Sequence, residues 1–191
     1  ELAKETDAVI ARGRNITAEI IAGLSNCKII GCGSVGTDRV DVRAATEHGI
    51  PVTNVPDVFI EEVADHAMTL LLAIHRHLYE MRDLMRSGRW TDSHPYLRSF
   101  PRLFGQTLGL IAFGNVARAV ARRAKPFGFH IISYDPYVSE IEMTSMGVEP
   151  VSFTELLERS DFVSNHGPLN DETRKIMSTR EFAMMKNNAM F

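Results

Sequence analysis

The sequence predicts an α/β fold in which a parallel β-sheet carries helices on both faces. Short apolar runs alternate with amphipathic stretches from the beginning of the chain, as strands do when crossover helices connect them. A glycine-containing turn separates an apolar run from a helical stretch near the middle of the chain, as in a βαβ unit. Of the 191 residues, 45% are hydrophobic and 24% are charged, which is ordinary for a globular chain with a buried core.

The first part of the chain predicts three strands and two helices. The strands are the apolar runs 7–11, 28–33 and 51–55. The first helix covers 17–24 with Thr17 as its N-cap. The second helix runs from Arg39 to His48, beginning at Asp38 and ending at Gly49.

A single long amphipathic helix is predicted between Glu61 and Trp90, because apolar residues recur there in steps of three and four. These residues are Val63, Ala67, Leu70, Leu71, Ile74, Leu78, Met81 and Met85. Such a helix suits a connection between two α/β segments or a dimer contact, and packing within its own domain is an equal alternative. The segment from Ser93 to Gly105, rich in proline and aromatic residues, is expected to be an irregular loop.

The second half of the chain resumes the alternation. Strands are expected at 108–111, 128–135, around 148 and at 161–165, with another beginning at Ala189. Helices are expected from about Asn115 and at 139–146, 153–160 and 179–185.

The central unit, 108–135, has the layout of a dinucleotide-binding βαβ unit. Gly114 allows a backbone to approach a pyrophosphate, and the helix beginning near Asn115 offers N–H groups and a positive dipole end. Asp135 lies 21 positions after Gly114, where a carboxylate accepts hydrogen bonds from an adenosine ribose, and this favours NAD over NADP. Ala112 and Ala117 replace the first and third glycines of G-x-G-x-x-G, so a βαβ crossover that binds no ligand stays open.

A second glycine loop, Gly31–Gly36, satisfies the same pattern literally. Its acidic partner by spacing is Asp57, but this residue follows Pro56 and so lies outside the strand. We therefore assign the dinucleotide to the central unit and a small anion, such as a substrate carboxylate, to this loop. A glycine-rich turn without a ligand also fits its spacing.

Charge and composition exclude several classes of partner. A net charge of −3 gives no electrostatic reason to expect nucleic acid or an anionic membrane, and no apolar run is long enough to cross a bilayer. Cys27 and Cys32 are expected to be small core residues in a reducing compartment, so a cytoplasmic location is expected. His66, His75 and His77 lack the spacing of metal ligands, and no metal site is expected.

Several segments, taken in order, resemble the D-isomer-specific 2-hydroxyacid dehydrogenase family. They are 33–41, 44–56, 62–68, 88–90, 105–109, the central βαβ unit, 161–169 and 171–173. The resemblance implies part of a flavodoxin-like substrate lobe over 1–55. Over 56–191 it implies a long connecting or dimer helix followed by the first part of a Rossmann-like NAD-binding domain.

The implied activity is hydride transfer between NAD(H) and a D-2-hydroxy acid or its 2-oxo acid, in a protein that is a homodimer. An NAD-binding, corepressor-like regulator of the same fold is the alternative. The family's catalytic arginine, glutamate and histidine are expected beyond Phe191, so the 191 residues by themselves are expected to be inactive.

The resemblance also implies individual site residues. For the substrate they are the backbone of Val35 and Gly36 and the side chain of Arg12. For the cofactor they are Val55, Gly114, Asn115, Val116, Asp135, His166, Gly167 and Pro168.

Overall fold

A computed structural model describes residues 4–191, apart from the side chains of Tyr96 and Ser99, as two compact units. The first unit runs to Val58 and includes Pro168–Arg174. The second unit comprises Phe59–Gly167 and Lys175–Phe191.

The first unit contains a parallel three-stranded sheet in the order β1-β2-β3. Its strands are β1 (Ala8–Ala11), β2 (Ile29–Cys32) and β3 (Val52–Thr53), and its helices are α1 (Ala18–Ala22) and α2 (Val42–Glu47). Ile21, Ile30 and Ala45 are fully buried in its core. The alternation predicted for this part of the chain is therefore confirmed. Thr17 precedes α1 as predicted, although its side chain makes no capping bond.

Helix α2 begins later than predicted. Its N-cap is Asp41, whose carboxylate accepts a hydrogen bond from the Ala44 N–H at 2.9 Å. The predicted start at Asp38 is wrong because the residues before Asp41 form a turn, in which the Val40 N–H donates to the Thr37 carbonyl, and Val40 then pairs with Ile16. Both aspartates are good N-cap residues, so composition alone did not distinguish them.

The second unit contains a parallel four-stranded sheet in the order β6-β5-β4-β7. The strands are β4 (Thr107–Ile111), β5 (His130–Tyr134), β6 (Glu149–Pro150) and β7 (Phe162–Asn165). The helices are α3 (Ile60–His75), α4 (Leu78–Arg86), α5 (His94–Ser99), α6 (Asn115–Ala124), α7 (Glu140–Ser145), α8 (Phe153–Arg159) and α9 (Thr179–Met184). The strand expected at Ala189 is present as a single bridge between Met190 and Phe162.

Helices cover both faces of this sheet, as predicted. Leu108 and Leu110 of β4 pack in one core with residues of α3 and α6. On the other face, Ile111 packs in a second core with Leu156 and Leu157 of α8. Strand β4 is therefore buried on both faces, which explains why its sequence is a continuous apolar run.

The prediction of a single long helix between Glu61 and Trp90 is wrong, because the helix ends at His75 and a second helix begins at Leu78. Arg76 and His77 separate α3 from α4, and His77 adopts a left-handed backbone with φ +48°. The ring of Phe100 stacks on His77 with centroids 5.0 Å apart and lies 5.0 Å from the Arg76 guanidinium. A contact this distant in sequence leaves no trace in the apolar periodicity.

The irregular loop predicted from Ser93 to Gly105 is also partly wrong. A 3₁₀ turn, Trp90–Ser93, leads directly into α5. Pro95 lies in the first turn of that helix, where the missing N–H has no intrahelical partner to lose. Within residues 4–191, no helix is both long enough and apolar enough to span a membrane.

Candidate functional site

The turn that follows β4 connects Ile111 to the first residue of α6. Its first residue, Ala112, has a left-handed backbone with φ +68°, and its N–H donates to the Tyr134 carbonyl at 2.8 Å. This conformation suits glycine and costs another residue about 1 kcal/mol or more. Ala112 thus adopts the conformation that makes glycine the usual first residue of such turns.

Gly114 is the N-cap of α6 and has no side chain to cap the helix. A methyl group added at Gly114 would meet no atom within 4 Å, so the space beside this backbone is open. The first turn of any helix leaves N–H groups without intrahelical partners, and the helix dipole is positive there. Asn115 is exposed and Val116 is half-buried at this end of α6. The arrangement is able to bind an anion.

Asp135 follows β5 directly, and its carboxylate faces the turn after β4. Oδ2 accepts a hydrogen bond from the Phe113 N–H at 2.8 Å, and Oδ1 accepts from the N–H groups of Tyr137 at 2.8 Å and Val138 at 3.2 Å. The structure therefore brings Asp135 and the Gly114 turn together. This is the proximity that their spacing in the sequence predicts.

Asp135 shares a pocket with two other acidic residues. A pocket of about 390 Å³ beside the end of β5 is lined by Asp135, Glu140 and Glu155 among its residues. The pKa of Glu155 is lowered because its carboxylate accepts hydrogen bonds from the side chain and backbone of Ser152. Glu155 is therefore ionised at neutral pH and contributes negative charge to this pocket.

The loop after β7 lies next to the same turn. Asn165 is in register with Ile111, and the His166 N–H donates to the Ile111 carbonyl at 2.9 Å. The His166 ring lies 3.0 Å from the Ser164 hydroxyl, and the Asn165 side chain accepts from the Gly167 N–H at 2.9 Å. Burial lowers the pKa of His166 to about 4, so its ring is neutral at pH 7.

These three segments meet at a topological switch point of the sheet. Strand β4 has β5 on one side and β7 on the other, and all strands are parallel, so their carboxyl ends share one edge. Open α/β sheets bind ligands in the crevice at such a point.

The substrate residues implied by the resemblance lie together in the first unit. The Ser34 hydroxyl donates to the Gly36 carbonyl at 2.7 Å, and the Asn54 side-chain amide donates to the Val35 carbonyl at 2.7 Å. These contacts hold the loop that follows β2. The side chain of Arg12 passes beside Gly33, its Cδ 3.9 Å from where a Cβ of Gly33 would lie.

Two of the implied cofactor residues also belong to this first unit. The Val55 N–H donates to the Ser34 carbonyl at 3.3 Å, and the Pro168 carbonyl accepts a hydrogen bond from the Thr173 hydroxyl. Gly114, Asn115, Val116, Asp135, His166 and Gly167 belong to the second unit. The implied site residues are thus divided between the two units.

Arg118 contacts the turn and was missed by the sequence reasoning. Its Nε donates to the Phe113 carbonyl at 3.0 Å, and its guanidinium lies 5.5 Å from the centroid of the Phe113 ring. In sequence it is one of three arginines in α6, and the other two, Arg122 and Arg123, pair with Glu61 of α3. Spacing alone did not distinguish the arginine that reaches the turn.

A second pocket, of about 290 Å³, lies between α3 and β7. Its lining is mainly apolar and includes Leu71, Ile74 and Phe162. Such a lining offers few hydrogen-bond donors to a phosphate. Among residues 4–191, no group of three or more histidine, cysteine, aspartate or glutamate residues is arranged to hold a metal ion.

Comparison with protein families identifies one domain. Residues 68–191 match the sequence profile described as D-isomer specific 2-hydroxyacid dehydrogenase, NAD binding domain.

Curated relatives match nearly the whole chain. A D-3-phosphoglycerate dehydrogenase of Methanocaldococcus jannaschii is 39% identical over 192 residues, which cover 100% of this chain and 36% of the relative. A glyoxylate reductase of Korarchaeum cryptofilum is 38% identical, with coverage of 100% and 58%. A hydroxypyruvate reductase of Thermotoga maritima is 39% identical, with coverage of 97% and 59%. The chain thus spans between about a third and three fifths of these relatives.

Solved structures show the same fold. D-lactate dehydrogenase from Aquifex aeolicus, complexed with NAD and lactic acid, matches with a TM-score of 0.91 and 26% identity, over 99% of this chain and 56% of that one. A glyoxylate reductase from Paecilomyes thermophila matches with a TM-score of 0.85 and 32% identity, over 97% of this chain and 58% of that one.

Proposed function

Because this chain belongs to the D-isomer-specific 2-hydroxyacid dehydrogenase family, we propose that it binds NAD and forms part of an oxidoreductase acting on a D-2-hydroxy acid or its 2-oxo acid. One observation carries this proposal: the open N-terminus of α6 at Gly114 lies beside the carboxylate of Asp135. The relatives are named as dehydrogenases and reductases, which favours an enzyme over a corepressor-like regulator.

The residues at the switch point fit a dinucleotide. The backbone at Gly114, Asn115 and Val116 would hold the pyrophosphate through N–H groups and the positive end of the α6 dipole. Asp135 would accept a hydrogen bond from the adenosine ribose at Oδ2, which has a lone pair left because it accepts from one backbone N–H group while Oδ1 accepts from two. The bound nicotinamide supplies the hydride acceptor or donor of the reaction.

We propose NAD and not NADP as the cofactor. Asp135, Glu140 and Glu155 all face one pocket, and a ribose phosphate there would meet like charge. The carboxylate of Asp135 is also fixed by three backbone N–H groups, so it is not free to move away from an added phosphate.

His166, Gly167 and Pro168 would complete the cofactor site as a supporting loop. The neutral His166 ring is held by Ser164 and stays uncharged down to about pH 4, so it does not exchange protons with a substrate at neutral pH. Its role is to orient the backbone between β7 and Pro168.

The substrate carboxylate is assigned to the loop after β2. Val35 and Gly36 would offer backbone N–H groups to it, and Arg12 would add a positive charge. We further propose that residues 1–55 form part of the substrate lobe and that 56–191 form the connecting helices and the NAD-binding domain.

We also propose that the protein is a homodimer whose contact includes α4. No residue of this helix is fully buried, and Leu78, Tyr79 and Met85 are each 57–59% exposed. Trp90, which follows α4, is also exposed. Large apolar side chains exposed on one helix favour a protein contact, and a second copy of the chain supplies the same residues.

A cytoplasmic location is proposed on the basis of the two cysteines. Cys27 and Cys32 are both free thiols, and Cys32 is buried in the core of the first unit. Free thiols of this kind are typical of reducing compartments.

Titration with NADH, followed by its fluorescence, tests the cofactor site. Gly114→Ala should abolish saturable binding without loss of stability, because the methyl group meets no protein atom but occupies the space above the turn. Gly23→Ala is the matched control, since it makes the same change at a helix end of the first unit where the nearest contact is 3.4 Å. NADPH in place of NADH should bind more weakly. Equal NADH binding by both glycine variants would refute the proposed site.

A further inference from the structure

Phe113, the residue between Ala112 and Gly114, is hydrogen-bonded through both its backbone N–H and its backbone carbonyl. Its N–H donates to Asp135 Oδ2 at 2.8 Å, and its carbonyl accepts from Arg118 Nε at 3.0 Å. Its ring is fully buried and lies under the Arg118 guanidinium. Arg118 is fixed in turn by Glu142 of α7, with Nη1 and Oε1 2.5 Å apart. Arg118 of α6 and Asp135 after β5 therefore hold the middle of the turn, and we call these two side chains the clamp.

The clamp stabilises the turn against relaxation of Ala112, which is in an unfavourable backbone conformation. An alanine with φ +68° favours a return to the right-handed or extended region, and this return would reorient Phe113 and Gly114. A glycine at this position would hold the turn without help. The contacts to Phe113 oppose the return, since a shift of the Ala112 backbone would break both of them.

We propose that Arg118 is a positioning residue that, together with Asp135, keeps the phosphate-binding turn formed before any cofactor is present. The effect of Arg118 on cofactor affinity rests on the proposed function. Its effect on the conformation of the turn without cofactor does not. Arg118 acts through Phe113, so it needs no contact with the cofactor.

Arg122 provides a matched comparison on the same helix. Like Arg118, it extends from α6 to a glutamate of another helix, in this case Glu61 of α3 at 2.8 Å. Arg118 bonds to the turn through the Phe113 carbonyl, whereas Arg122 extends to α3 instead.

Amide hydrogen exchange of the protein without cofactor measures the order of the turn. The informative group is the Ala112 N–H, which bonds to Tyr134 and touches neither member of the clamp. Arg118→Ala should increase its exchange roughly tenfold, the effect of releasing one strained residue, while Arg122→Ala leaves it unchanged. Adding Ala112→Gly to Arg118→Ala should restore the protection, because glycine needs no clamp.

NADH titration of the same variants gives the second readout. Arg118→Ala should weaken binding, and Ala112→Gly should recover most of the loss. If Arg118→Ala does not fold, Arg118→Lys keeps the charge beside Glu142 but loses the guanidinium Nε, and it should show the same exchange pattern to a smaller extent.

Equal exchange of the Ala112 N–H in Arg118→Ala and Arg122→Ala would refute the proposed role of Arg118. Failure of Ala112→Gly to restore protection in Arg118→Ala would refute it as well. If the exchange pattern is as expected but the unmodified protein binds no NADH, the clamp stands and the proposed cofactor site fails.

Discussion

The Asp135 carboxylate accepts the Phe113 N–H at 2.8 Å, so the acid that ends β5 is bonded to the turn that ends β4. Two adjacent parallel strands are thereby joined at the edge where the site lies. Asp161 makes the equivalent contact at the other end of β4, where its Oδ2 accepts the Thr107 N–H at 2.8 Å. A carboxylate therefore accepts a backbone hydrogen bond at the start of β4 and another from the turn that follows it.

Ala112→Gly should stabilise the protein. Removing the methyl group relieves the left-handed strain, and part of the gain is lost to the greater freedom of glycine in the unfolded chain, leaving about 0.5–1 kcal/mol. Urea unfolding measures the change. Ala119→Gly in the middle of α6 is the control and should destabilise by about 1 kcal/mol, since that alanine is helical. A loss of stability on Ala112→Gly would show that the turn is not strained.

Gly109→Ala should destabilise the second unit by about 1–3 kcal/mol through overpacking. The added Cβ would lie 2.2 Å from the Ser160 hydroxyl and 2.9 Å from Leu156 Cδ2, so α8 would have to move away from β4. Thermal unfolding tests this. Gly31→Ala is the matched control, because Gly31 is also in a parallel strand but the nearest atom to its added Cβ is 3.8 Å away. Similar melting temperatures for both variants would contradict the close approach of α8.

Stability should fall as the pH is lowered from 7 to 5 because of His166. Burial depresses the pKa of His166 to about 4 in the folded protein, whereas the unfolded histidine titrates near 6.5. Below pH 6.5 the unfolded state therefore binds a proton that the folded state does not, and this costs about 2 kcal/mol by pH 5. Burial also lowers the pKa of His75, so that residue adds to the same trend.

Urea unfolding at pH 7 and pH 5 provides the test. His166→Gln should remove the larger part of the pH dependence, because it removes the group whose pKa burial lowers most. An unchanged pH dependence in the His166 variant would mean that folding does not lower the pKa of the His166 ring.

Met85→Glu should convert the proposed dimer into a monomer. Met85 is 59% exposed on α4, and a carboxylate placed in a dimer contact would be buried without a partner. Sedimentation velocity measures the association state. Ile141→Glu serves as control, because Ile141 is 83% exposed on α7, a helix that is not part of the proposed contact. Dissociation by the control alone, or a monomer before any substitution, would refute the contact through α4.

The sequence by itself determined the architecture and the place of the candidate site. Short apolar runs alternate with amphipathic stretches, and this local pattern specifies which segments become strands and which become helices. The spacing between Gly114 and Asp135 is equally local, because a helix and a strand of ordinary length lie between them. Ser139 and Ser152 lie at helix starts as N-caps, close to the predicted boundaries.

Only the tertiary structure decided where contacts between distant residues override local preference. The break at His77 is accompanied by the stacking of Phe100 on its ring, and the left-handed Ala112 is accompanied by the contacts of Asp135 and Arg118 with Phe113. These contacts join residues that are not neighbours on one helix face or one strand, so the periodicity of the sequence does not predict them. The site therefore follows from the pattern of the chain, but the shape of its turn follows from packing.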